Sequence, residues 1–385
     1  MRAVVLSLVV LALIVAVYVY YTATEFSKFQ MYISDESWYA PASLNILRYV
    51  FHANVTQGFP YPNASGIETY LNPEHPPLAK YLMAISILAL GYEPVAWRLP
   101  GWILGGAALV AAFLTGRALL REEGDDAAAL AGVLSALLLA TDPTFWALHG
   151  IAMLDAYAGF FALLALYFLV SGRKFASSVA LGLAFAAKET TFPLVIPYLY
   201  YIGELEERPV KRVAYGLLIP ASVYLALSMP LIIYYGGLVQ WLQSSFLHML
   251  GWDITSGHIA GGAESQISTP WDWFLNVHPF YLGEGLYART NVAVMLMWIA
   301  LTPLPLIRRN AKLATATAFA WAMWAGLLAV YLSGNTTLFS FYVADFSPIV
   351  DVYVASAVVF GVVSLEERRR AQGAKRALAD QFKTE

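Results

Sequence analysis

Apolar residues in this chain gather in long runs rather than in the alternation of a surface strand or the one-sided stripe of a soluble helix. Ten such runs stand out, at about 3–21, 98–119, 127–143, 156–171, 175–189, 191–205, 213–235, 291–307, 313–333 and 340–363. A helix needs roughly 20 apolar residues to cross ~30 Å of hydrocarbon, so the pattern predicts about ten transmembrane helices. The runs 175–189 and 191–205 are short and tightly joined. Two polar connections are long, 22–97 and 236–290. Inside the first lies Leu78–Leu90, an apolar stretch of about 13 residues, too short to span and read as an interfacial helix. It follows Pro76-Pro77, and proline suits the first turn of a helix.

Composition agrees with the pattern. Apolar types make up 59% of the 385 residues and charged types 13%, where soluble domains carry about 45–50% and about 25%. The net charge of −3 gives no electrostatic footprint for nucleic acid, and without cysteine there are no disulfides or thiolate metal sites. The run after Arg2 is long for a signal peptide and lacks a clean small-x-small cleavage site, so it reads as a retained first span. With the N-terminus in the cytoplasm, only Lys28, Arg48, Lys80, Arg98, Lys188 and Arg289 of the 23 Lys and Arg residues fall outside. That bias is the positive-inside pattern, and an extra or missing span would break it. Both termini are then cytoplasmic, in a multi-pass cell-membrane protein. The sequons at Asn54, Asn63 and Asn335 all fall on the external side. The chain divides into a transmembrane module at 1–235 containing the first external loop, 22–97, then a second external loop at 236–290, C-terminal transmembrane helices at 291–365 and a charged cytoplasmic tail at 366–385.

The charges on the external side are the candidate chemistry. Asp35-Glu36 follows the first span, and one carboxylate of such a pair can serve as general base toward a hydroxyl. His75 and Lys80 flank the interfacial helix, and Arg98 opens the second span. Guanidinium forks suit phosphate, although a basic residue at a membrane boundary also anchors the interface by snorkelling. Asp155 and Lys188-Glu189 end later spans on the same side, where an unpaired charge is costly. Acids and bases gathered at one surface fit a lipid-borne phosphate meeting a hydroxyl. Basic groups would hold the phosphate, and a carboxylate would activate the acceptor for a single inverting displacement. No metal is required, although Asp35 and Asp155 oxygens suit a hard cation. Trp252, Trp271, Trp273, Tyr281 and Tyr287 offer rings for sugar stacking, a reading that competes with ordinary interfacial anchoring.

These residues resemble the protein O-mannosyltransferases, within the membrane-embedded GT-C glycosyltransferases. The resemblance rests on Asp35-Glu36, His75-Pro76-Pro77-Leu78-Ala79-Lys80, Arg98-Leu99-Pro100, Met153-Leu154-Asp155, Lys188 and Ser268-Thr269-Pro270-Trp271-Asp272-Trp273. It implies an all-α GT-C bundle with Asp35 as catalytic base, Glu36 supporting the site and Arg98 on the donor phosphate. Lys80 and Lys188 join the phosphate site, and His75, Asp155, Trp271 and Trp273 the substrate site. It further implies a polyprenyl- or dolichyl-phosphate sugar donor, with mannose as the sugar, and a protein Ser/Thr acceptor. A lipid or glycan acceptor is the alternative, as in the related aminoarabinose transferases. No nucleic acid enters this scheme, the bilayer is a partner, and a dimer is compatible with it. The sequence departs from the family in two places. The loop 236–290 has no room for the eukaryotic β-trefoil domain, and Phe341-Tyr342-Val343-Ala344-Asp345-Phe346-Ser347-Pro348 lacks the family's histidine. The missing histidine bears on the sugar pocket, and the lack of the trefoil with the compact size points to a prokaryotic-type member.

A transporter and a non-catalytic scaffold are the competing classes. Transporters carry charge near the bilayer midplane and often show inverted repeats, whereas these charges sit at one surface and no repeat is visible.

Overall fold

The computed structural model describes residues 2–255 and 264–381. Its helices are α1 (Arg2–Phe26), α2 (Glu36–Asn45), α3 (Leu78–Leu90), α4 (Pro94–Leu119), α5 (Asp125–Ala140), α6 (Pro143–Gly150), α7 (Leu154–Val170), α8 (Lys174–Ala187) and α9 (Val195–Leu205). They continue with α10 (Pro209–Val213), α11 (Ile219–Tyr234), α12 (Leu238–Ser244), α13 (Phe246–Thr255), α14 (Val292–Leu301), α15 (Leu304–Arg308), α16 (Ala311–Leu332) and α17 (Ser347–Gln381).

Every apolar run in the sequence is helical, but the runs are not ten equal spans. Among the described residues, five helical stretches can cross a membrane by length and composition: 3–26, 94–119, 209–234, 311–332 and 347–366. A sixth forms if α5 and α6 count as one span bent by 62°. Proline explains the breaks. Pro143 starts α6, and Pro193 lies in the 3-10 turn Glu189–Leu194 that separates α8 from α9. The last crossing stretch among the first three stays continuous because a π turn at 214–218 joins α10 to α11.

The core lies where α4, α5, α7, α8 and α17 meet. Apolar packing in a bilayer gains nothing from excluding water, so close approach of backbones carries the association. A Cβ on Gly116 of α4 would sit 2.7 Å from the Ala131 carbonyl oxygen, and one on Gly132 of α5 would sit 2.8 Å from that of Phe113. In contrast, α1 covers only one side of the bundle and leaves Leu6, Val9, Leu13 and Val17 facing outward.

The first loop is folded rather than loose. Tyr32 stacks on Trp97 with centroids 5.1 Å apart, and its hydroxyl meets that of Tyr92 at 2.7 Å. Asn45 donates to the Ile67 and Tyr70 carbonyls, both at 2.8 Å, and accepts from the Tyr61 hydroxyl at 2.6 Å. The second loop contributes α12, α13 and an antiparallel hairpin of β1 (Phe280–Gly283) and β2 (Leu286–Ala288). Ser340 pins that hairpin by accepting from Phe280 N and donating to the Ala288 carbonyl.

Candidate active site

Two helix termini create the centre of the site. α7 and α8 form a tight antiparallel pair, tied by Ser177 Oγ donating to the Ala165 carbonyl at 2.8 Å. The pairing sets the first turn of α7 beside the end of α8, so Asp155 and Lys188 meet at 2.5 Å although 33 residues separate them. Each charge suits its helix end: an acid at an N-terminus, a base at a C-terminus. Both side chains are almost fully buried. The Tyr342 ring covers the ammonium, with its centroid 4.5 Å from Lys188 Nζ.

Around this pair stand Asp35, His75, Glu189 and Asp345. His75 Nδ1 lies 2.9 Å from Glu189 Oε1, which joins the first loop to the segment after α8. Lys188 is thus paired with Asp155 rather than with its sequence neighbour Glu189. Asp35 is half-buried at the N-terminal cap of α2, with the Tyr39 hydroxyl at 3.5 Å. Burial raises its carboxyl above the ordinary range and the Asp155 charge adds to this, while Lys188, His75 and Tyr39 oppose the rise. Burial works the same way on Glu189, but His75 and Lys188 outweigh it and hold that carboxyl below its usual value. A narrow cleft lined by His75, Glu189, Tyr224, Trp241, Phe246 and Met249 lies between the first loop and α11–α13.

Three of the residues expected on the phosphate or in catalysis do different work. All five N–H donors of Arg98 are spent inside the protein. Nε and Nη2 grip Glu36 at 2.7 and 2.6 Å, Nη1 donates to the Phe26 and Phe29 carbonyls, and Nη2 also donates to that of Met31. Glu36 accepts further from Ile33 N and Ala152 N at 2.9 and 3.0 Å, and neither side chain has any exposed surface. Arg98 therefore has no donor left for a phosphate, and Glu36 has no free oxygen for catalysis. Together they clamp the loop 26–35 to α4 and to the turn before α7. Lys80 is likewise wholly buried, with its ammonium donating to Asn72 Oδ1, the Asn72 carbonyl and the His75 carbonyl. Burial pushes it down to about 7, which weakens it further as a phosphate cation.

Of the two tryptophans, one departs from expectation. Trp273 is completely buried, its indole donating to Ser268 Oγ at 2.8 Å, so it offers no face to a sugar. The Ser268–Trp273 stretch is a structural turn, with Thr269 N donating to Asp272 Oδ2 at 2.8 Å. Trp271 is exposed, its ring edge-on to Tyr331 at 5.2 Å. The Trp252 side chain lies outside the described residues. Among the described residues, no group of three His, Asp or Glu side chains has a metal-binding arrangement.

Asp345, Tyr342 and Tyr39 complete the cluster without having been singled out from sequence. Among the described residues, no hydrogen-bond donor meets either oxygen of Asp345 or Asp155 Oδ2, although both side chains are buried. Asp345 was legible in principle as an acid within a long apolar stretch, where ionisable residues are functional by default.

The profile of the dolichyl-phosphate-mannose-protein mannosyltransferase family matches residues 74–234, under half of the chain. No curated protein matches it by sequence. Several solved structures share its fold. An Archaeoglobus fulgidus oligosaccharyltransferase superposes with a TM-score of 0.59 at 14% identity, over 96% of this chain and 52% of that one. ArnT from Cupriavidus metallidurans, bound to undecaprenyl phosphate, gives 0.57 at 16% identity, over 94% and 63%. The archaeal oligosaccharyltransferase AglB from Archaeoglobus fulgidus, in complex with an inhibitory peptide and a dolichol-phosphate, gives 0.54 at 14%, over 94% and 52%. The chain thus spans about half to three-fifths of the length of these relatives. It has the fold of the GT-C membrane glycosyltransferases and, across residues 74–234, is similar to the dolichyl-phosphate-mannose-protein mannosyltransferases.

Proposed function

We propose that the chain is an inverting glycosyltransferase. It moves a sugar, mannose by the family likeness, from a polyprenyl or dolichyl phosphate to a hydroxyl, with protein Ser/Thr as the acceptor. The observation that carries this reading is one cluster. A raised carboxyl, Asp35, stands beside Lys188 and His75, with a narrow cleft next to His75 and Glu189. Asp35 takes the proton of the acceptor hydroxyl, whose oxygen attacks the anomeric carbon opposite the phosphate. The departing phosphate meets Lys188, which has spent one donor on Asp155 and keeps two. ArnT and AglB have been solved with undecaprenyl phosphate and dolichol-phosphate, which supports the donor class. The positive-inside bias of Lys and Arg supports an external site in a multi-pass membrane protein with cytoplasmic termini. A divalent cation on Asp35 and Asp155 is compatible with the donor set, and no step above uses one.

The test is transfer from radiolabelled dolichyl-phosphate mannose, alongside other polyprenyl-phosphate sugars, to a panel of Ser/Thr peptides and lipid acceptors. Asp35→Asn is expected to lose at least about 10²-fold in rate while inserting and melting like the parent. Parental rates in Asp35→Asn would remove Asp35 from the mechanism. Transfer to lipids but to no peptide would move the acceptor to the lipid class.

A further inference from the structure

The proposed transfer uses a base, yet it also releases a phosphate monoester whose oxygen gains charge as the anomeric bond breaks. We propose that His75 and Glu189 form a catalytic dyad that protonates this departing phosphate, an inference that rests on the transferase reading above.

The geometry has three parts. His75 Nδ1 is engaged by Glu189 Oε1 at 2.9 Å, so Nε2 is the nitrogen left for a ligand. The ring is partly exposed and lines the cleft, and Glu189 lines it too. The loop carrying His75 is also held still. Lys80 donates to the His75 carbonyl at 2.8 Å and to Asn72, and the Tyr39 ring packs edge-on at 6.1 Å. A carboxylate on one imidazole nitrogen keeps a proton there and stabilises the imidazolium, leaving the other N–H as an acid. Lys188 has no such carboxylate–imidazole relay, and Arg98 and Lys80 have spent their donors.

The proton balance closes. The acceptor O–H proton goes to Asp35 and the acceptor oxygen bonds the anomeric carbon. The bond from that carbon to the phosphate oxygen breaks with its electron pair on the oxygen, and His75 Nε2 transfers its proton there. Asp35 then loses a proton to solvent and His75 regains one, so no other reactant is needed. The charged and titratable groups around His75 are Asp35 beside α2, Glu74 next to it in the chain, Lys80 from α3, Lys188 and Glu189 after α8, Tyr39 from α2 and Tyr224 from α11. Glu74 is itself held by the Tyr70 hydroxyl, which leaves Glu189 as the carboxylate on the ring.

The experiment measures kcat and donor KM, with dolichyl-phosphate mannose as donor, for the full chain and three variants. His75→Gln should lose about 10²-fold or more in kcat, with donor KM changed far less. Glu189→Gln should also lower kcat with donor KM changed far less, because the imidazole loses the carboxylate that orients it. His75→Lys keeps a cation for the phosphate and should not restore kcat. Parental kcat in His75→Lys reduces His75 to a phosphate cation and overturns the dyad, as does parental kcat in His75→Gln. Should His75→Gln fail to fold, parental kcat in Glu189→Gln overturns it equally. Absence of transfer by the parent chain defeats the transferase reading itself, an outcome separate from all of these.

Discussion

Replacing Arg98 by alanine separates a phosphate ligand from a structural clamp. The guanidinium holds five acceptors: both Glu36 oxygens and the carbonyls of Phe26, Phe29 and Met31. In Arg98→Ala, Glu36 keeps only the Ile33 and Ala152 amides and becomes a buried carboxylate without a cation. Breaking one partner of a buried ion pair costs about 3–5 kcal/mol. Neither side chain is solvent-exposed, so water does not discount that figure. Asp35 sits one residue from Glu36, and Asp155 lies three residues beyond Ala152, so the same change loosens both sides of the site. The expected result is a marked fall in the melting midpoint of the detergent-purified protein together with a loss of kcat. Arg98→Lys restores the charge but brings three donors to five acceptors, and should recover only part of the stability. The refuting result is an Arg98→Ala protein that melts like the parent and differs only in a raised donor KM. That pattern would return Arg98 to the phosphate.

The acid limb of transfer should lie above the ordinary carboxylate range of about 4, because Asp35 works deprotonated and its carboxyl is raised. A pH–rate profile with its acid limb at the ordinary value counts against Asp35 as base. Gly159→Ala puts a Cβ 2.3 Å from the Ala344 carbonyl oxygen, so it should displace the segment carrying Tyr342 and Asp345. A cost of about 1–3 kcal/mol in melting and a clear fall in transfer are expected, and unchanged values for both would contradict the packing. Trp273→Phe removes the bond to Ser268 and should cost about 1 kcal/mol with donor KM unaltered, whereas a KM effect without a stability effect would restore the sugar-stacking role.

By itself, the sequence determined where the helices lie. Long apolar runs leave the backbone few alternatives in a bilayer, where every N–H and C=O must be satisfied internally. It also marked Asp35, His75, Asp155 and Lys188, because isolated ionisable residues beside apolar runs are visible without knowing what they touch. It could not say which cations were free. Arg98, Lys80 and Lys188 look alike as basic residues at a boundary. Only the fold spends the donors of Arg98 on Glu36 and three carbonyls, buries Lys80 under the His75 loop and leaves Lys188 with unspent ones. Nor could it set Asp345 beside Lys188 or Glu189 against His75, since those meetings depend on how α7, α8 and the turn before α17 pack. The physical reason is that a residue's type is local, whereas the satisfaction of its hydrogen bonds is a property of distant backbone brought near.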